Sequence, residues 1–171
     1  MFWLCMTNGA AGHTYGANGI WQCNRPGQPH GPSPHHTGGV GYGTIPWNEA
    51  MNLPGSRQVG LGKKLFERFE WHKFTPHAEW ISYAEKEATS YGPFATGIAE
   101  KVRIVYVPES RPVRIEKLEA AVKYQASAFD PTTGGMSESG PVEIGGADAD
   151  VIRKPASISS DDWVVVLERA N

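Results

Sequence analysis

The spacing of apolar and polar positions changes character twice along this chain. Met1 to Asn8 is apolar at Phe2, Trp3, Leu4 and Met6, a pattern that fits the end of a buried helix or the start of a buried strand. Ala10 to Tyr15 is short, small and uncharged between glycines, which predicts a strand buried on both faces. From Trp21 to Pro54 no period is present. The run from Pro26 to Gly39 holds prolines that remove donors and fix φ, so it predicts neither helix nor sheet. A structureless connection of that length is normally functional or mobile.

A helix is then predicted over Ser56 to Phe69. Val59, Gly62, Phe66 and Phe69, with Leu61 and Leu65, recur at three- and four-residue steps, while Lys63, Lys64, Glu67 and Arg68 fill the other side. Ser56 is placed to cap the N-terminus, and Pro76 stops any continuation past Trp71. Gly60 and Gly62 each cost about 1 kcal/mol of helix propensity, which is explained if they allow close packing against a sheet.

Short strands follow. Lys101 to Val107 puts Val102, Ile104 and Tyr106 on one face; Pro112 to Ile115, Val122 to Ala126, Val142 to Ile144 and Trp163 to Leu167 continue the pattern. Asp130-Pro-Thr-Thr-Gly134 and Gly145-Gly146 separate them as turns, with Asp130 expected to bond its own backbone. This spacing argues for an antiparallel sandwich or barrel of about 100 residues, and the last strand closes just before Asn171, so this part reads as whole.

Composition narrows the function classes. A net charge of -2 over 171 residues leaves no footprint for nucleic acid, and no basic run suggests a membrane surface. No apolar run is long enough to span a bilayer, and Met1 to Met6 lacks the basic flank of a signal peptide. Cys5 and Cys23 have no metal spacing; they either pair in an oxidising compartment or, as expected here, stay as two free buried thiols. The charge distribution is more telling. Between Met1 and Asn48 only Arg25 is charged, amid Gly, Trp, Tyr and His. So much uncharged aromatic surface belongs inside a larger body or along a concave site.

Gly9-Ala-Ala-Gly-His-Thr-Tyr-Gly-Ala-Asn-Gly-Ile-Trp-Gln22 and Trp47-Asn-Glu-Ala-Met-Asn-Leu-Pro-Gly55 resemble the apiosidase-like glycoside hydrolases. Arg103-Ile-Val-Tyr-Val-Pro108, Phe129-Asp-Pro-Thr-Thr-Gly134 and Asp162-Trp-Val-Val-Val-Leu167 resemble the small β-sandwich, labelled as collagen-binding, that follows the (β/α)8 barrel in that family. The resemblance implies an α+β chain: residues 1–75 as the final strand–loop–helix portion of a barrel, and residues 76–171 as an antiparallel β-sandwich. Ala10 to Tyr15 would be the eighth barrel strand, and Ser56 to Phe69 the eighth helix. His13, Tyr15 and Trp21, with Trp47 nearby, would then sit at the barrel mouth, where rings stack on sugars and polar tips bond hydroxyls.

The partner implied is a polysaccharide or oligosaccharide bound by the intact barrel, on plant-type side chains, and the intact protein is expected outside the cell or in the periplasm. No cofactor and no metal are expected. Glycoside hydrolysis normally needs two carboxyl groups about 5–9.5 Å apart, yet Glu49 is the first acidic residue and the barrel-like part has no Asp. Glu49 is better read as a favourable charge near a helix N-terminus. No catalytic residue is assigned, and the chain is expected to be inactive alone. His13 is open between a sugar ligand and a hydrogen-bonded core residue, Tyr15 likewise, and Trp21 and Trp47 are open between site and packing. His30, His35 and His36 read as a solvated loop rather than a metal site, and His72 and His77 as surface residues. The sandwich is expected to buttress the barrel; the alternative is a stand-alone carbohydrate- or collagen-binding module without catalysis.

Overall fold

Among the described residues, nine strands gather into two antiparallel sheets, preceded by a few short helices. The computed structural model describes residues 1–29, 43–85, 91–142 and 150–170. The larger sheet is built from β1 (Thr75–Pro76), β3 (Phe94–Ile98), β4 (Val102–Val107), β6 (Tyr124–Phe129), β7 (Met136–Val142) and β9 (Trp163–Arg169), in the order β1-β3-β4-β9-β6-β7. The smaller holds β2 (Ile81–Tyr83), β5 (Val113–Ile115) and β8 (Val151–Ile152), in the order β2-β5-β8. Their inner faces share one core that includes Val105, Val107, Val165, Leu167, Ala126 and Trp163 from the large sheet and Ile81, Val113 and Ile152 from the small one. The molecule is thus a mixed α and β structure dominated by an antiparallel sandwich.

β4 and β9 are rich in β-branched residues, which suit a pleated, buried surface. They pair in register from Val102↔Glu168 to Val107↔Trp163, and β9 also pairs with β6. All six residues of β4 are buried, because both faces of the sheet are covered. Val102, Ile104 and Tyr106 share the outer face, as expected, and there they meet α1 (Phe2–Thr7), which packs on β3 and β4. The Trp3 ring stacks near-parallel on Tyr106 at 6.1 Å and meets Phe129 edge-on at 5.7 Å. Phe66, at the end of α3 (Pro54–Phe66), closes the cluster at 5.9 Å from both Phe2 and Trp3.

The edges of the large sheet are blunted. β1 is two residues long and ends in Pro76; β7 carries Pro141 and an irregularity opposite Ala126/Ser127. Short strands, prolines and bulges all discourage further pairing at an edge.

Several expectations are corrected. Ala10 to Tyr15 is irregular, with Ala11, Gly12 and Thr14 exposed, and no strand pairs with it among the described residues. A strand exists only where a ladder partner supplies its hydrogen bonds. α3 starts at Pro54, whose missing N–H costs nothing in a first turn, and Ser56 Oγ donates to Leu53 O. The helix ends at Phe66 rather than Phe69. Gly62 packs not on a sheet but on the Phe2 ring, where a Cβ would lie 2.3 Å from Cε1, and Gly60 faces open space. A short helix, α2 (Trp47–Ala50), interrupts the stretch that shows no period. The strand expected at Val142 to Ile144 lies earlier, as β7, and residues 143–149 fall outside the described residues. Both cysteines are free, but Cys5 is only half-buried and Cys23 is exposed.

Contacts divide the chain into two units: residues 1–13 with 61–171, and residues 14–60. The first contains the sandwich together with α1 and the end of α3.

Candidate functional site

The described residues of the second unit, 14–29 and 43–60, include two tight turns. Ile20 N and Trp21 N both donate to Ala17 O, Cys23 N donates to Ile20 O, and Asn24 N donates to Gly19 O at 2.9 Å. Gly19 has φ +99°, and a Cβ there would fall 2.5 Å from Ile45 O, so only glycine fits. Its N–H donates to buried Gln22 Oε1 at 2.8 Å. Arg25 and Gln28 exchange backbone hydrogen bonds of 3.0 and 2.9 Å around the next turn.

Asn24 lies between these turns with 0% exposure. Its Nδ2 donates to Ile45 O at 3.1 Å and Gly43 O at 3.4 Å, and its carbonyl accepts from Trp47 N at 2.9 Å. Its Oδ1 is buried without a partner.

Three of the four expected sugar-contacting residues belong to this unit. Trp21 is 77% exposed; its indole lies against the Gly16 backbone, where a Cβ would come within 2.5 Å of Nε1. Trp47 opens α2 and is 45% exposed. Neither tryptophan is packed inside. Tyr15 is half-buried against Gly55, where a Cβ would meet its Cε2 at 2.9 Å. His13 belongs to the other unit, half-buried and edge-on to Phe2 at 5.8 Å. Indole faces open to solvent can stack on sugar rings, and a tyrosine hydroxyl can bond to theirs.

The acidic residues of the stretch before Pro76 are each exposed or paired. Glu49 is exposed on α2. Glu67 pairs with Lys63 at 2.6 Å, and Glu70 with Lys73 and Lys101. The Lys73 hydrogen bond and charge hold the Glu70 carboxyl below its ordinary value. Among the described residues no group of three or more His, Cys, Asp or Glu is placed to hold a metal ion. His30, His35 and His36, and the glycine-rich run from 38 to 42, lie outside the described residues. Among the described residues, no helix is long and apolar enough to cross a membrane.

The sandwich unit has two features that periodicity does not reveal. An open hollow of about 290 Å3 is lined by Met6, Ala10, Phe66, Trp71, His72 and Phe74. His72 is the one ionisable side chain in its lining. The second is Arg103, fully buried on the inner face of β4. It donates to Glu116 O, Lys117 O and Glu119 Oε2 at 2.7–2.8 Å and lies 4.2 Å over the Trp80 ring. His77 stacks on Trp80 at 3.7 Å. Burial raises the Glu119 carboxyl, but hydrogen bonds from Tyr124, its own backbone and Arg103 outweigh it and leave it below its usual value. Burial, followed by Glu119, pushes the Tyr124 phenol up to about 12. Asp130 behaves as its turn predicts: Oδ1 accepts from Thr132 N at 2.7 Å, Thr132 Oγ1 at 2.6 Å and Thr133 N at 3.2 Å.

Residues 1–73 match the family described as "Apiosidase-like, catalytic domain", and residues 76–168 match "Putative collagen-binding domain of a collagenase". Among curated proteins none matches the chain. A solved structure described as a glycoside hydrolase is similar at 25% identity and a TM-score of 0.76, over 98% of this chain and 35% of its own. A glycoside hydrolase family 5 structure from Bacteroides vulgatus ATCC 8482 is similar at 23% identity and a TM-score of 0.75, over 98% of this chain and 34% of its own. The chain therefore spans about a third of the length of these solved structures.

Proposed function

We propose that this chain, which belongs over residues 76–168 to the family of the collagen-binding-type domain and matches the apiosidase-like catalytic domain over residues 1–73, is the C-terminal segment of a glycoside hydrolase whose sandwich buttresses the catalytic barrel. Residues 1–75 supply a C-terminal loop-and-helix portion of that (β/α)8 barrel, and residues 76–171 the sandwich. The intact enzyme acts outside the cell or in the periplasm on side chains of plant-type polysaccharides. Tyr15, Trp21 and Trp47, with His13, contribute to its sugar-binding mouth, while the acid–base carboxylates come from other parts of the barrel.

The observation that carries the buttress reading is the covered outer face of the large sheet. Ile104, Val164 and Val166 are fully buried there, beside Tyr106 and Phe129. The rings on that face are Trp3 and Phe66, both from the stretch that matches the catalytic domain. A ligand-binding sheet face leaves its aromatic residues open; this one spends them on a helix.

The test is Tyr106→Ala in the whole chain, scored for melting temperature and for affinity to oligosaccharides from plant polysaccharides. A buttress loses melting temperature and keeps affinity. If the melting temperature holds and affinity alone falls, the sheet is a binding surface, and the alternative of a stand-alone carbohydrate-binding module takes over.

A further inference from the structure

We propose that Asn24 is the positioning residue that holds Trp21 and Trp47 in place as one exposed sugar-stacking surface. The inference rests on the reading of those two tryptophans as sugar-binding, and assigns a role to a residue that touches no sugar itself.

The two rings lie 26 positions apart in the chain, yet one buried residue, through its backbone and its side chain together, ties the turn of Trp21 to the backbone around Trp47. Asn24 N closes the turn that carries Trp21 through Gly19 O, and Asn24 O receives the N–H of Trp47. Asn24 Nδ2 holds Ile45 O, two residues before Trp47, and the same oxygen lies against Gly19. Gln22, next to Trp21, ties its own turn to the Gly19 N–H. The turn of Trp21 and the start of α2 are therefore fixed to each other through Asn24, Gly19 and Ile45.

The chemistry of the side chain argues against a role in packing alone. Its amide must point Nδ2 at two carbonyls, which leaves Oδ1 buried with no partner. An unpaired buried acceptor is a cost that an apolar residue of similar shape avoids. Asparagine is useful here because both donors of Nδ2 are needed to hold the strand of backbone leading into Trp47.

Fluorine NMR of the whole chain labelled with fluorotryptophan tests this directly, with signals assigned by single Trp→Phe variants. Asn24→Ala is expected to shift and broaden the Trp21 and Trp47 signals while those of Trp80 and Trp163, in the sandwich, stay in place. Gly19→Ala, whose Cβ would collide with Ile45 O, is expected to disturb the same pair. Titration with oligosaccharides from plant polysaccharides, read by tryptophan quenching, is expected to show affinity at least about tenfold weaker for Asn24→Ala. Trp21 and Trp47 signals unmoved by Asn24→Ala, with affinity retained, would overturn the assignment of Asn24 alone. If the unaltered chain shows no quenching by these oligosaccharides, the sugar-binding reading falls, and with it the purpose given to Asn24, even where the two signals move together.

Discussion

Replacing Trp3 by alanine measures how far the sandwich depends on the helix that precedes it. Trp3 is 5% exposed and touches Phe2, Phe66, Tyr106 and Phe129. A buried aromatic side chain removes about 150–250 Å2 from water, worth roughly 4–6 kcal/mol at about 25 cal/mol per Å2. That figure is an upper bound, because the unfolded chain already buries some of the surface. Large-to-small changes of this kind cost about 3–5 kcal/mol, so about 4 kcal/mol is expected. In a chain of this length 1 kcal/mol moves the midpoint by about 2–4 °C, which puts the loss at about 8–16 °C. Urea unfolding and scanning calorimetry of the whole chain are the assays, with half-exposed Trp47→Ala as the control, expected to cost about 1 kcal/mol or less. A double-mutant cycle of Trp3 with Tyr106 should return a coupling of about 0.5–1.5 kcal/mol. If Trp3→Ala costs no more than the Trp47 control, or the cycle shows no coupling, the covered sheet face does not depend on α1 and the buttress argument fails.

Two further predictions follow from local geometry. Gly60→Ala and Gly62→Ala, two positions apart on α3, should act in opposite directions: the first gains up to about 1 kcal/mol of helix propensity in open space, and the second loses about 1–3 kcal/mol because its Cβ would strike Phe2. Equal and same-signed changes in urea midpoint would show that Phe2 does not sit on Gly62. At Asp130, burial raises the carboxyl but the Thr132 and Thr133 hydrogen bonds outweigh it, so the native value lies below the ordinary 3.8. The unfolded chain therefore takes up this proton first. The stabilisation is present above the unfolded value and is lost as pH falls from 3.8 through the lower native one. Asp130→Asn should flatten that acid limb in urea midpoints measured on either side of it; a limb as steep as that of the unaltered chain would refute the role given to Asp130.

The strands with the densest β-branched runs, β4 and β9, are legible in the sequence because their residues have few other uses. β7 is hidden in the sequence: it lies at the edge of the sheet, and Met136-Ser-Glu-Ser-Gly-Pro-Val142 has no apolar alternation. β1, β2 and β8 are two or three residues long, too short for any period to register. Pro54 reads as a breaker in sequence, yet in space it opens the helix. Ala10 to Tyr15 has the composition of a strand, but composition cannot supply the neighbours that a ladder needs. Trp21 and Trp47 stand out as aromatics in an uncharged stretch. Asn24 does not, because its partners Gly43, Ile45 and Trp47 lie some twenty positions away and only folding brings them to it.

The position of β9 has a consequence in time. It is the last strand, yet it lies in the middle of the large sheet, between β4 and β6. On a ribosome adding about 5–20 residues per second, α1 waits roughly 8–30 s for residues 163–169 to emerge. Until then β4 and β6 each present an open edge, and the apolar face that α1 will cover has only half its width. A stop codon just before Trp163 would release a chain whose central seam is unfilled. Such a product is a candidate for aggregation or chaperone capture.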